Sequence, residues 1–150
     1  MFKNMFFAVF VLIISSYASA EKNLITLESQ YTAKETADRF ESIIKDKGLT
    51  LFARIDHQKN ASGVSLSLRS TEALIFGNPK VGTPLMQCAQ QAAIDLPQKV
   101  LITEDSEQRV WLSYNNPEYI KARHNIKGCD KTINKISAVL NKLSIAATTK

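Results

Sequence analysis

Residues 32–48 repeat apolar side chains at helical spacing. Ala33, Ala37, Phe40, Ile43 and Ile44 fall on one stripe, and charged residues fill the other side. Thr32 and Glu35 make a capping box at the start, and Gly48 stands where helices commonly end. The preceding LITLESQ reads as a first strand. After Gly48 the period changes to two. In LTLFARIDH, Leu49, Leu51, Ala53, Ile55 and His57 share one face, and Thr50, Phe52, Arg54 and Asp56 the other. The pattern predicts a strand with one buried face that His57 terminates. QKNASGV follows as a turn or helical stub, and a further strand is expected over about 70–76.

KVLITED and RVWLSYN are two later strands, and residues 105–108 between them predict a hairpin. NNPEYIKARHN reads as a short helix capped by Asn116, with Pro117 in its first turn. Glu118 and Arg123 suit opposite ends of its dipole. CDKTINKISAVLNKL is amphipathic, with Ile133, Ile136, Val139, Leu140 and Leu143 on its apolar stripe. The hairpin and the uneven spacing of elements argue against a doubly wound parallel sheet. They predict an α+β domain, an antiparallel or mixed sheet of about five strands with helices packed on one face.

The first twenty residues stand apart from this pattern. Lys3 precedes an apolar run from Met5 to Ile14, and Ala18, Ser19 and Ala20 form a small-x-small cleavage site. Residues 1–20 are expected to be a signal peptide, cleaved after Ala20, leaving 21–150 as one domain in the periplasm. An uncleaved anchor is the competing reading. After cleavage the chain is not expected to be an integral membrane protein. Export changes how the cysteines are read. Cys88 and Cys129 lack metal-site spacing, and in an oxidising compartment such a pair is expected to form a disulfide rather than two separate thiols.

Formal net charge is +5, and its distribution is uneven. Residues 121–150 hold seven Lys or Arg against Asp130 alone. Nucleic acid is a poor partner for an exported chain. The basic end is either a solvated lysine face or a surface for an acidic partner or anionic lipid.

IFGNPKVGTPLMQ, residues 75–87, spaces Gly77 and Gly82 as a phosphate loop would. Such a loop requires a lysine after its last glycine and then Ser or Thr. Here Thr83 follows Gly82 directly, and Pro79 removes an amide donor, so nucleotide hydrolysis is excluded. The stretch instead predicts a strand-to-helix turn, with Thr83 as N-cap and Pro84 at the first helical position. The amides of Leu85 and Met86 would then be free to hold an anion.

RIDH, FGNPKVGTPLMQ, AIDLPQKVLI and VWLSYNNPEYIKARH, in this order and at these separations, resemble a family of small bacterial and archaeal proteins, domain of unknown function 302. The resemblance covers about residues 31–145. It implies an α+β domain with an antiparallel sheet in a TATA-binding-protein-like two-layer architecture, often paired as homodimers. It lends no catalytic residues.

The residues that remain candidates for chemistry are few. His57 beside Asp56, and His124 beside Arg123, would hold a divalent metal together with Asp56 or Asp95 if the strand end and helix end met, although their separation fits no metal motif. Asp95 in AIDLPQK is either a cap or an acid/base group. Tyr114 and Asn78 stand at strand ends, where polar side chains often line a pocket. No serine elbow or CxxC motif is present, and the sequence identifies no cofactor. The expectation is a non-catalytic small-ligand-binding or accessory domain, acting as a homodimer. Its cleft would be built from Asp56, His57, Asn78, Gly82, Thr83, Asp95, Tyr114 and His124, and its ligand would be small and anionic. The alternatives are a histidine-dependent enzyme, or metal handling by His57 and His124.

Overall fold

The computed structural model describes residues 23–150, so the expected signal peptide and its cleavage site lie outside the described residues. Five strands form one antiparallel sheet: β1 (Leu24–Ser29), β2 (Thr50–Asp56), β3 (Thr71–Gly77), β4 (Gln98–Glu104) and β5 (Val110–Asn115), in the order β1-β5-β4-β3-β2. The long helices α1 (Ala33–Asp46) and α5 (Asp130–Thr148) cover one face. The short helices α2 (His57–Ser62), α3 (Pro79–Cys88) and α4 (Pro117–Arg123) complete the α+β architecture. A 3-10 turn over Gln90–Asp95 leads through a cis Leu96–Pro97 peptide into β4.

The core forms where the helical stripe meets the period-two stripe. Phe40 and Ile44 of α1 are fully buried, and the Phe40 ring meets Phe76 of β3 edge to face at 5.0 Å. Leu74, Val100, Ile102 and Leu112 supply the sheet side, and Ile133, Leu140 and Leu143 the α5 side. The Thr32–Glu35 capping box forms, and Gly48 takes the left-handed φ of +68° that ends α1. Arg39 fixes the far end of α5: its guanidinium donates to the carbonyls of Ala146 and Ala147, where a cation suits the helix terminus.

The strict alternation expected in β2 does not survive. Leu51 pairs with Phe76 and Ala53 with Ile75, so Phe52 is an extra residue, a bulge on an edge strand. The shift puts Leu51 and Ala53 on opposite faces and carries Arg54 onto the helix-covered side. There Arg54 pairs with Glu72 of β3 and with Asp38 and Glu41 of α1, the last two at 2.7 and 2.8 Å. Those carboxylates raise the Arg54 pKa above its ordinary value, Glu72 most.

Acid should loosen this arrangement. Lys34 and Arg54 hold the Asp38 carboxyl below its usual range, and Lys45 and Arg54 do so for Glu41. In the β4–β5 hairpin, the Trp111 indole and the turn amides do the same for Asp105. Depressed folded pKa values mean that the ionised forms favour the fold above the ordinary carboxylate pKa, about 4, and that this contribution fades as pH falls. The urea midpoint should therefore drop between about pH 5 and pH 2. Asp105→Asn should flatten that dependence, and an unchanged curve would remove Asp105 from the account.

Candidate functional site

The stretch 75–87 folds one turn earlier than its residues predict. Asn78, not Thr83, caps α3: its side-chain carbonyl accepts from the Lys80 amide at 2.9 Å, and Pro79 occupies the first helical turn. Both Asn78-Pro79 and Thr83-Pro84 are competent starts. The first prevails because β3 delivers the chain directly to it and asparagine caps at least as well as threonine. Pro84 then lies inside the helix, Gly82 and Thr83 are helical, and the expected anion site at the Leu85 and Met86 amides does not form.

What α3 builds instead is one wall of a groove. It lies at the end of the sheet where β3 finishes and β4 begins, between α3 and α5, and it has two lobes. The first, about 370 Å³, is lined by Phe52, Pro79, Met86, Leu96 and Pro97, with Gly82 and Thr83 on its α3 side. The second, about 350 Å³, runs along α5 past Leu49, Phe76, Val139 and Leu143. Gly77, Asn78, Val81, Gln98 and Ile136 border both lobes. Each lobe is of the size of ordinary small-molecule clefts, roughly 300–1,000 Å³. The Phe52 bulge puts an aromatic ring, 53 % exposed, on the first lobe. Gln98 is the main polar group at the junction. Its Nε2 is buried and has no hydrogen-bond partner, a costly state for an amide unless something enters to accept from it.

The other predicted site residues divide into separate places. Asp95 and His124 do meet: His124 Nε2 lies 2.5 Å from Asp95 Oδ2, and Arg123 Nη1 donates to Asp95 Oδ1 at 3.0 Å. Both Asp95 and the His124 ring are buried, so this triad fastens the 3-10 turn to the end of α4, with His124 as that helix's C-cap. Asp56 and His57 stand elsewhere. Asp56 caps α2 through the Lys59 amide at 2.8 Å, and His57 is the exposed first residue of α2 rather than the end of a buried strand face. They sit at the Glu72–Ile102 end of the sheet, whereas Asp95 leads into the Phe76–Gln98 end. A seven-residue strand separates the two ends by roughly 20 Å. The structure therefore does not bring His57 and His124 to one metal centre, and no group of three or more metal-ligating side chains occurs among the described residues. Tyr114 points into the core, only 2 % exposed, and burial raises its phenol pKa. Of the eight predicted residues, Asn78, Gly82 and Thr83 line the groove.

The groove residues missed from sequence are Gln98, Phe52, Val81 and Ile136, together with Lys47, Lys135 and Lys142 along the second lobe. One signal was present for the last two. Lys135, Val139 and Lys142 repeat at helical spacing beside the buried stripe of α5, inside the basic run.

Cys88 and Cys129 form a disulfide with Cα atoms 6.4 Å apart. It joins the end of α3 to the residue that opens α5, so it links the two walls of the groove.

Comparison with known proteins agrees with this fold. The crystal structure of an uncharacterized conserved DUF302 protein from Bacillus stearothermophilus superposes with a TM-score of 0.67 at 17 % identity, covering 83 % of this chain and 94 % of that one. Among curated proteins, the fluoride-specific ion channel FluC 1 of Brucella suis biovar 1 is 39 % identical over 106 residues, which are 71 % of this chain and 42 % of the relative. The FluC 2 channel of Brucella melitensis biotype 1 matches to the same identity over 39 % of its length. The chain thus spans about two fifths of the curated relatives it matches. The model of the domain of unknown function DUF302 matches residues 25–143, and the chain belongs to that family.

Proposed function

We propose that the protein is an exported, periplasmic accessory domain that holds a small ligand without transforming it, and that it works as a homodimer. The two-lobed groove carries this reading: a preformed apolar cleft with an unsatisfied amide at its centre is the arrangement of a binding site. The Brucella relatives support the accessory part. The stretch shared with those fluoride-specific channels is less than half of each, and here it folds as a five-stranded sheet with its own core. Among the described residues no helix is long and apolar enough to cross a membrane.

The face of the sheet opposite α1 and α5 supports pairing of two copies. Strand alternation places Ile55, Ala73, Ile75 and Leu101 there, and Leu101 is 38 % exposed. The segment between α2 and β3 adds exposed Val64, Leu66 and Leu68, apolar side chains that a single chain leaves in water. A second reading, a histidine-dependent enzyme, has one observation in its favour, the Asp95–His124 pair.

Native mass spectrometry of untagged protein isolated from the periplasm tests the first reading. The expected spectrum is a dimer lacking two hydrogens per chain and carrying a small molecule. Val81→Trp should empty the groove, and Leu101→Lys should give monomers. A retained molecule that persists in Val81→Trp would place the ligand elsewhere. A wild-type monomer would sink the dimer.

A further inference from the structure

We propose that the groove binds a single-chain amphipathic anion, an aliphatic chain ending in a carboxylate. This rests on the groove being the binding site and names the class of ligand. Three observations carry it. The first lobe is apolar, with Phe52, Met86, Leu96 and Pro97 presenting carbon to its interior, which suits a hydrocarbon tail. The second lobe has a different border. Lys47 from the end of α1 and Lys135 and Lys142 from α5 line it, and no acidic side chain lines either lobe. Among the described residues none of these three lysines has a salt-bridge partner, whereas Lys34, Lys45 and Lys121 all do. Their stems cover apolar surface and leave three ammonium groups at the border. Finally, the buried Gln98 Nε2 at the junction of the lobes is a donor without an acceptor.

A tail in the first lobe satisfies the apolar surface. A carboxylate in the second lies in the field of the lysines, where charge-assisted hydrogen bonds are the strong ones, and it reaches the Gln98 amide once that side chain turns outward. The two lobes together hold a chain that passes Val81 and Ile136, which border both. A compact anion such as inorganic phosphate would leave the first lobe empty, and a neutral amphiphile would leave the lysines unanswered.

Dodecanoate and dodecanol, both below their aggregation limits, distinguish the contributions. Calorimetry on the full chain, with amide chemical shifts to locate binding, should show dodecanoate bound at one saturable site and dodecanol about tenfold more weakly. Lys135→Glu with Lys142→Glu, both exposed and safe for folding, should remove that preference while leaving dodecanol affinity unchanged. Val81→Trp should abolish binding of both. Equal affinity for the two amphiphiles, or a preference that survives the lysine reversal, overturns the anionic ligand but leaves the groove as a binding site. No shift of groove resonances with either probe overturns both readings. Vesicles of phosphatidylglycerol supply the last arm. Binding to them that the lysine reversal abolishes and Val81→Trp leaves intact would assign the lysines to a membrane surface and overturn the proposal.

Discussion

Reduction of the Cys88–Cys129 bond should lower the unfolding free energy by up to about 4 kcal/mol, the entropy that a closed loop of this length removes from the denatured chain. The sequence separation is 41 residues, and the loop it closes, from the last residue of α3 to the start of α5, contains the 3-10 turn, both strands of the β4–β5 hairpin and α4. Reduction leaves the native contacts of those elements in place but frees the unfolded ensemble to expand. The consequence should appear in urea titrations as a lower midpoint in reductant, matched by Cys88→Ser with Cys129→Ser under oxidising conditions. A difference below about 1 kcal/mol would mean that the denatured chain already keeps these segments together. Because the bond joins α3 to α5, reduced protein should also bind its groove ligand more weakly than oxidised protein of the same folded fraction.

Asp95→Ala should cost about 3 kcal/mol or more, because it strips the partner from a buried imidazole and from a guanidinium at once. Asp95→Asn keeps the shape and one acceptor, so its loss should be smaller. Thermal unfolding of the two variants beside wild type checks the order. If the Asp95–His124 pair is a fastening, ligand affinity at the groove should stay within about twofold of wild type in Asp95→Asn, since the pair does not line the groove. If it is a catalytic dyad, His124→Gln should abolish a turnover whose pH profile follows a histidine, while changing stability little. Equal stability of Asp95→Ala and wild type would refute the fastening.

The elements that were legible from sequence are those in which a single period runs uninterrupted. The α1 stripe with its capping box, the β4–β5 hairpin and the α5 stripe, save Val139, which is 39 % exposed, form where the residues put them. β2 departs from its pattern because alternation cannot reveal an extra residue. The Phe52 bulge exists only in relation to β3, a partner 20 residues on, and it decides that Arg54 rather than Ala53 faces α1. α3 departs because two good start signals stand five residues apart, and local chemistry does not rank them. The candidate site was less legible still. Polar side chains stand out in a sequence, yet the groove is mostly carbon contributed by four distant segments, and its key donor, Gln98, looks like any strand-edge glutamine until its neighbours are known. The Asp95–His124 contact is likewise tertiary, made across 29 residues.

The extra residue in β2 also bears on how these molecules avoid one another. A regular outermost strand offers an unbroken row of amides and carbonyls, and a second molecule can extend the sheet by zipping onto it. Phe52 breaks the repeat of that row in its first half, and α2 turns the chain away at its end. A neighbouring strand cannot run in register along the whole edge, so growth of the sheet into a filament is interrupted from this side. Deleting one residue at position 52 would restore an even ladder. The protein so altered should seed cross-β aggregation from concentrated solution where the natural sequence does not.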